Sequence, residues 1–118
     1  MNSGATKIYG IPNCDTIKKA RKWLDSRQIA FVFHDYRKQG VDMALLQSME
    51  TSLGWEAMLN RRGTTWRAQP DAIKNSIDRD SALKLMLENP AIIKRPILDN
   101  GNRLYIGFDE HQYQEIFA

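Results

Sequence analysis

The apolar positions before residue 40 predict a strand, a helix and a second strand. Residues 7–11 have the composition of a short buried strand. Ile17, Ala20 and Leu24 then recur at the spacing of one helix face, in a helix that begins at about residues 13–15. Residues 31–36 are dense in aromatic and β-branched side chains and predict the second strand. Two strands joined by a helix within about thirty residues make a βαβ unit, whose strands we expect to be parallel.

Residues 42–88 have a purely helical pattern. Asp42 has the position of an N-cap, and the apolar stripe after it predicts a helix over residues 43–53 that ends at Gly54. The other elements predicted in this block are one or two helical turns at 55–60, an irregular stretch at 64–67, a short helix at 72–75 and a helix that is capped by Asp78 or Asp80 and ends at Glu88.

A hairpin and a last helix are predicted after Pro96. The pair Asn100-Gly101 lies between two short apolar runs at 97–99 and 102–106, which is the pattern of a two-residue hairpin with positive φ at both central residues. Asp109 is a predicted N-cap for a helix of about 109–117. The predicted order is therefore β-α-β, a helical insertion, and β-β-α.

The only cysteine, Cys14, stands where the first helix begins. The first N–H groups of a helix have no partner within it, and the helix dipole is positive at this end. Both effects favour a thiolate, and nearby cations lower the cysteine pKa further from its ordinary ~8.5. A lone cysteine is also commonly an inert small apolar residue in a core. Its placement alone leaves both interpretations open.

Composition limits the classes of function. The 118 residues suffice for one domain. No apolar run approaches the ~18 residues of a membrane span, the first residues lack the apolar segment of a signal peptide, and one cysteine excludes an internal disulfide. We therefore expect a cytoplasmic protein that does not bind a membrane. The net charge of +3 suits an anionic small molecule or an acidic partner surface, and is weak evidence for nucleic acid, so no nucleic-acid partner is predicted.

Three separated motifs resemble the glutaredoxin-type arsenate reductase and Spx family, and within it the YffB branch. They are Tyr9–Ala20 (YGIPNCDTIKKA), Met58–Trp66 (MLNRRGTTW) and Asn89–Ile97 (NPAIIKRPI). The resemblance extends from Lys7 to Phe117. It implies an α/β protein with a thioredoxin-like (glutaredoxin-like) fold and a mixed four-stranded sheet. It also implies a single domain over 1–118 with a helical insertion at about 42–88.

The resemblance makes Cys14 a nucleophile that attacks sulfur or an oxyanion. Ile17 stands where a dithiol oxidoreductase has its resolving cysteine, so a monothiol cycle remains, in which external glutathione resolves a mixed disulfide at Cys14. In thioredoxin-like proteins a cis-proline loop packs against the active cysteine. The resemblance thus places Arg95 and Pro96 beside Cys14, where a guanidinium would stabilise the thiolate and hold a carboxylate of glutathione or an oxyanion.

Four further residues are candidates for binding glutathione or another anionic ligand. Asn13 and Thr16 flank the thiol, although helix capping explains both equally well. Lys18 is one turn from Cys14 and adds positive potential, unless it is simply solvated. Family members have another functional arginine in the region of Arg61 and Arg62, of which we prefer Arg62.

No metal site and no tightly bound cofactor are predicted. His34 lies on a strand and His111 in the first turn of a helix, and neither has another histidine or a cysteine near it in the sequence. Glutathione is expected as a co-substrate rather than as a resident group.

The leading hypothesis is a glutathione-dependent thiol oxidoreductase that uses glutathione and, as a further partner, a glutaredoxin or a protein thiol or disulfide. One alternative is a non-catalytic binding protein or regulator, as in the Spx branch. The other is arsenate reduction itself. Arsenate reductases have a histidine upstream of the cysteine, at about the position of Gly10 in this chain, and an arginine after the hairpin, where this chain has Ile106. Their absence weighs against arsenate as substrate.

Overall fold

The computed structural model describes residues 6–118. The contacts group these residues into two compact units, one of residues 6–40 with 95–118 and the other of Val41–Lys94. Each unit is described by itself below. The single domain over 1–118 stays a prediction.

The elements follow the predicted order. In chain order they are β1 (Lys7–Gly10), α1 (Asp15–Ser26), β2 (Val32–Asp35), α2 (Tyr36–Gln39), α3 (Met43–Leu53), α4 (Trp55–Met58), α5 (Thr64–Arg67), α6 (Asp71–Asn75), α7 (Arg79–Glu88), a 3₁₀ turn (Pro90–Ile92), β3 (Ile97–Asp99), β4 (Leu104–Ile106) and α8 (Glu110–Ile116).

The first unit is built on a four-stranded sheet with the strand order β2-β1-β3-β4. β1 and β2 are parallel, with Tyr9 opposite His34 and Gly10 opposite Asp35. The β1–β3 and β3–β4 pairs are antiparallel. The predicted βαβ unit and the mixed sheet are therefore both confirmed.

The core of this unit lies between the sheet, α1 and α8. The apolar stripe of α1 is buried, as its spacing predicted. Tyr113 of α8 is fully buried, and its ring packs edge-on against those of Trp23 and Phe108. The buried members of the cluster are Ile8, Ile17, Ala20, Trp23, Leu24, Leu98 and Tyr113.

The second unit is entirely helical apart from one isolated bridge between Leu59 and Ile93. α3, α4 and α7 pack on one another, and the 3₁₀ turn packs on α7 and α5. Asp42 caps α3 by accepting the N–H of Leu45, which confirms the predicted bounds of this helix. Asp78 rather than Asp80 caps α7, through a reciprocal pair of hydrogen bonds with Ser81.

Three local predictions are wrong, and the first two concern residues 64–67 and the hairpin loop. Residues 64–67, predicted as irregular, form the helical turn α5, because Thr64 follows an extended Gly63 whose carbonyl accepts the N–H of Arg67. The hairpin loop also differs, since Asp99 pairs with Leu104 and four residues therefore separate the paired positions.

The Asn100 side chain explains the longer loop. Its Oδ1 accepts the N–H groups of Asn102 and Arg103, and among the described residues of this loop only Gly101 has a positive φ. Asn100 is therefore used as a hydrogen-bond acceptor that closes the turn, rather than as a central residue with positive φ.

A single tyrosine directly after β2 was predicted as strand and is instead helical. The Asp35 carboxylate accepts the N–H of Arg37, and the chain turns into α2 at Tyr36. Asp35 is the one buried residue with a charged side chain among residues 6–118. This cap at the end of β2 buries Tyr36 in the first unit.

Candidate functional site

Cys14 is the N-cap residue of α1. Its backbone is extended, and its carbonyl accepts the N–H of Lys18 as the first bond of the helix. The side chain is half-buried and the thiol is free. It does not form a cap hydrogen bond of the conventional kind, but the backbone N–H groups of Thr16 and Ile17 face the sulfur. Unpaired amides at a helix start are good donors to an anion.

Several influences on the Cys14 thiol act in opposite directions. Partial burial is the largest and raises its pKa. Against it, the N–H of Ile17, a hydrogen bond donated by the Arg95 side chain, the N–H of Thr16 and the positive charge of Arg95 all lower it. The lowering effects prevail, so the pKa of Cys14 lies below its ordinary value. A lowered pKa on a partly exposed thiol is the property of a reactive cysteine.

Arg95 reaches Cys14 from the loop that precedes β3. The Arg95–Pro96 peptide bond is cis, as the resemblance implies. Pro96 is buried, and its carbonyl accepts the N–H of Gly107 at 2.8 Å, which ties the loop to the end of β4. The loop thus has a defined position in the first unit, and with it the base of the Arg95 side chain.

Gly10, the last residue of β1, lies where a helix and the loop approach the strand. A Cβ at this position would overlap the Cδ1 of Ile17 and lie 3.5 Å from the Cβ of Arg95. Glycine therefore lets α1 and the Arg95 loop pack directly on the strand end. A histidine at this position would have to displace the Ile17 side chain.

Three aromatic rings lie beside the strand ends. The Tyr9 and Tyr36 rings are stacked at 6.4 Å between centroids, and His34 is 5.0 Å from Tyr9 and 5.9 Å from Tyr36. His34 Nε2 also bonds the carbonyl of Gly40 at 2.9 Å. Burial is the largest influence on the pKa of Tyr36 and raises it, Tyr9 raises it further, and the positive charge of Arg95 lowers it.

The structure brings only some of the sequence-predicted residues together. Cys14, Arg95 and Pro96 meet in the first unit, and Thr16 joins them through its backbone N–H. Asn13 and Lys18 have exposed side chains.

Arg62 belongs to the second unit, where it lines an open cavity of about 360 Å³. Arg61 lines the same cavity, and its guanidinium lies 5.5 Å from the centroid of the Trp66 ring. The other lining residues are Glu56, Leu59 and Lys94. Three cations around one concavity favour an anion, and the role of Arg62 stays a prediction.

Two features of the site were missed by sequence reasoning. The close approach at Gly10 could have been expected from the sequence, because an isolated glycine at a strand end often marks such an approach. The influence of the Arg95 charge on Tyr36 had no local signal, since the two residues are far apart in the chain. Among residues 6–118 there is no group of three or more His, Cys, Asp or Glu side chains that could hold a metal ion. Within the same residues, no helix has the length and apolar character to cross a membrane.

The sheet order and the cysteine at the start of α1, faced by a cis-proline loop, define a thioredoxin-like fold with a single-cysteine site. A sequence model of the ArsC family matches residues 9–116, and the chain belongs to the ArsC family. An uncharacterized protein of Haemophilus influenzae is 48% identical over 94% of this chain and 97% of its own length.

Two solved structures and one regulator extend the comparison. The structure of a YffB protein matches with a TM-score of 0.92 at 43% identity, covering 97% of this chain and 100% of the other. An arsenate reductase (ArsC) related protein from Brucella melitensis matches with a TM-score of 0.80 at 43% identity, covering 100% and 98%. The global transcriptional regulator Spx 1 of Lactococcus lactis is 29% identical over 89% of this chain and 83% of its own length.

Proposed function

We propose that the protein is a glutathione-dependent thiol oxidoreductase of the cytoplasm with Cys14 as its single nucleophile. The observation that carries this proposal is the half-exposed Cys14 sulfur, which two helix-start amides and the Arg95 guanidinium face. This arrangement favours the thiolate form of Cys14. The family membership supports it, because the YffB and arsenate reductase-related structures have the same fold.

The chemistry is a pair of thiol–disulfide exchanges. The Cys14 thiolate attacks the glutathione sulfur of a mixed disulfide R–S–S–G, the R–S⁻ thiolate leaves, and Cys14 carries a glutathionyl group. A glutathione thiolate then attacks that glutathionyl sulfur, so that glutathione disulfide is released and the Cys14 thiolate is regenerated. The net reaction converts R–S–S–G and one glutathione thiolate into R–S⁻ and glutathione disulfide, so one molecule of glutathione is consumed per cycle. Ile17 offers no second thiol, so the resolving sulfur comes from solution.

The Arg95 guanidinium has two roles in this cycle. It stabilises the attacking thiolate, and it stabilises Cys14 again when that sulfur leaves in the second exchange, because a lower leaving-group pKa speeds departure. It also offers parallel N–H donors to a carboxylate of glutathione. Arg62, with Arg61 and Lys94 around the cavity of the second unit, is a second candidate for binding an anionic ligand.

The test begins with the thiol itself. Alkylation of Cys14 by iodoacetamide, followed over a range of pH, should give a pKa below ~8.5. Incubation with glutathione disulfide should add one glutathionyl group by intact mass, and added glutathione should remove it. Cys14→Ser is the control. An ordinary thiol pKa together with no mixed disulfide would reject the proposal.

A non-catalytic regulatory role is the second candidate. It is supported by the relatives named as Spx transcriptional regulators, which match 89% of this chain. Affinity capture from a lysate with the wild-type protein and with Cys14→Ser separates the two functions. A pure binding protein keeps its partners when the sulfur is removed, whereas partners held through a mixed disulfide are lost.

Arsenate reduction is the least favoured of the three functions. A histidine at Gly10 would have to displace the buried Ile17 side chain, and Ile106 at the end of β4 carries no charge for an oxyanion. A direct assay with arsenate, glutathione and glutaredoxin should therefore show no turnover above that of Cys14→Ser. Turnover well above this control would restore arsenate as a substrate.

A further inference from the structure

The cavity of the second unit is lined by charges of both signs. Its volume of about 360 Å³ falls in the range of small-molecule sites, about 300–1,000 Å³. None of the ion pairs formed within residues 6–118 involves any of its charged side chains. Opposite charges therefore face one concavity without pairing across it. The charged lining residues are Glu56, Arg61, Arg62 and Lys94.

The base of this cavity is held by hydrogen bonds between two backbone segments. Leu59 and Ile93 form an antiparallel bridge, and both are buried. Next to it, the N–H of Lys94 donates to the carbonyl of Met58 at 2.7 Å. Glu56 belongs to α4, the helix that leads directly into this bridge. The backbone positions from which the acidic side chain and the lysine extend are thus well defined.

The two arginines lie in the turn that follows the bridge. The Oδ1 atom of Asn60 accepts the N–H of Arg62 at 3.1 Å, which holds the backbone of this turn. The Arg61 guanidinium lies 5.5 Å from the centroid of the Trp66 ring, within range of a cation–π interaction. The side chain of Arg62 has no ion pair within residues 6–118 and is exposed, so its N–H donors are available to a ligand.

The carboxylate of Glu56 decides which class of ligand fits best. A simple anion would bind the three cations but would be repelled by this carboxylate. An α-amino acid head group has a carboxylate and an ammonium on one carbon and therefore uses both signs of charge. Its carboxylate accepts hydrogen bonds from guanidinium and lysine N–H groups, and its ammonium donates to a carboxylate.

We propose that this cavity binds an α-amino acid head group, and that the ligand is the γ-glutamyl end of glutathione. Glu56 holds the ammonium, and Arg61, Arg62 and Lys94 hold carboxylate. The choice of glutathione rests on the proposed function, whereas the class of head group follows from the cavity alone. Glutathione has two carboxylates and one ammonium, which suits a cavity with three cations and one carboxylate.

The test uses S-methylglutathione, which has no free thiol and cannot exchange with Cys14. Its analogue with a glutaryl group in place of the γ-glutamyl group keeps both carboxylates and lacks only the ammonium. Calorimetric titration is done at low ionic strength, because salt screens exposed charges. The wild-type protein should bind S-methylglutathione about threefold or more tightly than the analogue, the effect expected of one exposed ion pair.

Glu56→Gln should remove this preference, because a neutral amide does not attract the ammonium. Glu88→Gln is the matched control, since Glu88 is exposed in the same unit and does not line the cavity. It should keep the preference. Arg62→Gln should instead weaken the binding of both ligands by a similar factor. Lys84→Gln removes an equal charge from an exposed position of the same unit and should have a smaller effect. Urea denaturation checks that each variant is folded.

Several results would overturn the inference. Equal affinity of the wild type for the two ligands would leave a plain anion site, and no measurable binding would leave none. A preference that persists in Glu56→Gln, or that is lost equally in Glu88→Gln, would show that Glu56 does not hold the ammonium. Equal effects of Arg62→Gln and Lys84→Gln would show that only the net charge matters.

The proposed function is tested separately, by glutathionyl transfer to Cys14 in the intact-mass measurement. Transfer without the preference for the ammonium would reject the assignment of the cavity and leave the oxidoreductase standing. A preference that depends on Glu56, without transfer to Cys14, would reject the oxidoreductase and leave a binding site for an amino acid head group.

Discussion

The Cys14 sulfur shows how a few donors can outweigh the effect of burial. Desolvation is the largest influence and disfavours the thiolate, but two backbone amides and one guanidinium act against it. The amides belong to the first turn of α1 and remain in any variant that keeps this helix. Arg95 is the one contributor that a single substitution removes.

Arg95→Ala should therefore raise the pKa of Cys14 towards its ordinary value. Below the thiol pKa, each unit of increase lowers the thiolate fraction about tenfold, so alkylation at neutral pH should slow by up to that factor. Thiol titration by iodoacetamide measures the change. Arg103→Ala is a matched control, because it removes an equal charge from an exposed position of the hairpin loop in the same unit. An equal shift in both variants would show that only the net charge matters.

The same lowered pKa makes stability depend on pH. The folded pKa of Cys14 is below the unfolded value of ~8.5, so its ionisation stabilises the fold fully above pH ~8.5. This contribution is lost as the pH falls through the folded pKa. The free energy of unfolding of wild type minus that of Cys14→Ser should therefore rise with pH up to ~8.5 and then level off. Urea denaturation with reductant at several pH values measures it, and a difference that falls over this range would contradict the assigned direction.

At the level of the elements, the packing of β1 against α1 depends on a missing side chain. A Cβ at Gly10 would overlap the Cδ1 of Ile17. Gly10→Ala should thus destabilise the protein by about 1–3 kcal/mol through overpacking, which exceeds the ~0.4–1 kcal/mol that alanine gains from a less flexible unfolded chain. Thermal or urea unfolding measures the loss.

The Ile17→Val variant provides the control for this prediction. Valine lacks the Cδ1 atom with which the new methyl group would collide, and the substitution alone costs about 0.5–1.5 kcal/mol. The double variant should be more stable than the sum of the two single effects indicates, since the two sites are in contact. Strict additivity would show that the strand and the helix do not meet at this point.

The helices and strands were predictable where a cap or a periodic stripe marks them. Asp42, Asp78 and Asp109 each cap the helix that follows, because a short carboxylate there accepts an otherwise unpaired N–H. The predictions of local structure failed where a residue can act in two ways or where an element is very short. Asn100 closes the hairpin with its side chain instead of its backbone, and α5 is one turn long, too short for a periodic signal.

The candidate site was predictable in its sulfur and its guanidinium but not in what surrounds them. The helix start around Cys14 is a local pattern, and the family resemblance supplied Arg95 and its cis-proline loop. Gly10 belongs to the site because α1 and the Arg95 loop both pack on the end of β1. Such contacts join residues that are distant in the chain, and they cannot be predicted from any short stretch of the sequence.

On the scale of the whole molecule, the buried tyrosines set an upper pH limit to stability. Burial raises the pKa of Tyr113, and burial together with Tyr9 raises that of Tyr36 despite the opposing charge of Arg95. Each of these phenols therefore ionises at a higher pH in the fold than in the unfolded chain. The stability that they contribute is fully present below the unfolded value of ~10 and is lost as the pH rises above it, because the unfolded chain then releases protons that the fold retains.

Above pH ~10 the free energy of unfolding should therefore fall by about 1.4 kcal/mol per pH unit for each of these two tyrosines. Phenolate absorbance measured together with circular dichroism should show the buried tyrosines ionising only as the fold is lost. A double variant Tyr36→Phe/Tyr113→Phe should have a shallower alkaline slope than wild type, since phenylalanine has no proton to release. Equal slopes in the two proteins, or complete tyrosine ionisation with the circular dichroism unchanged, would mean that these hydroxyl groups are exposed to water on the timescale of the titration.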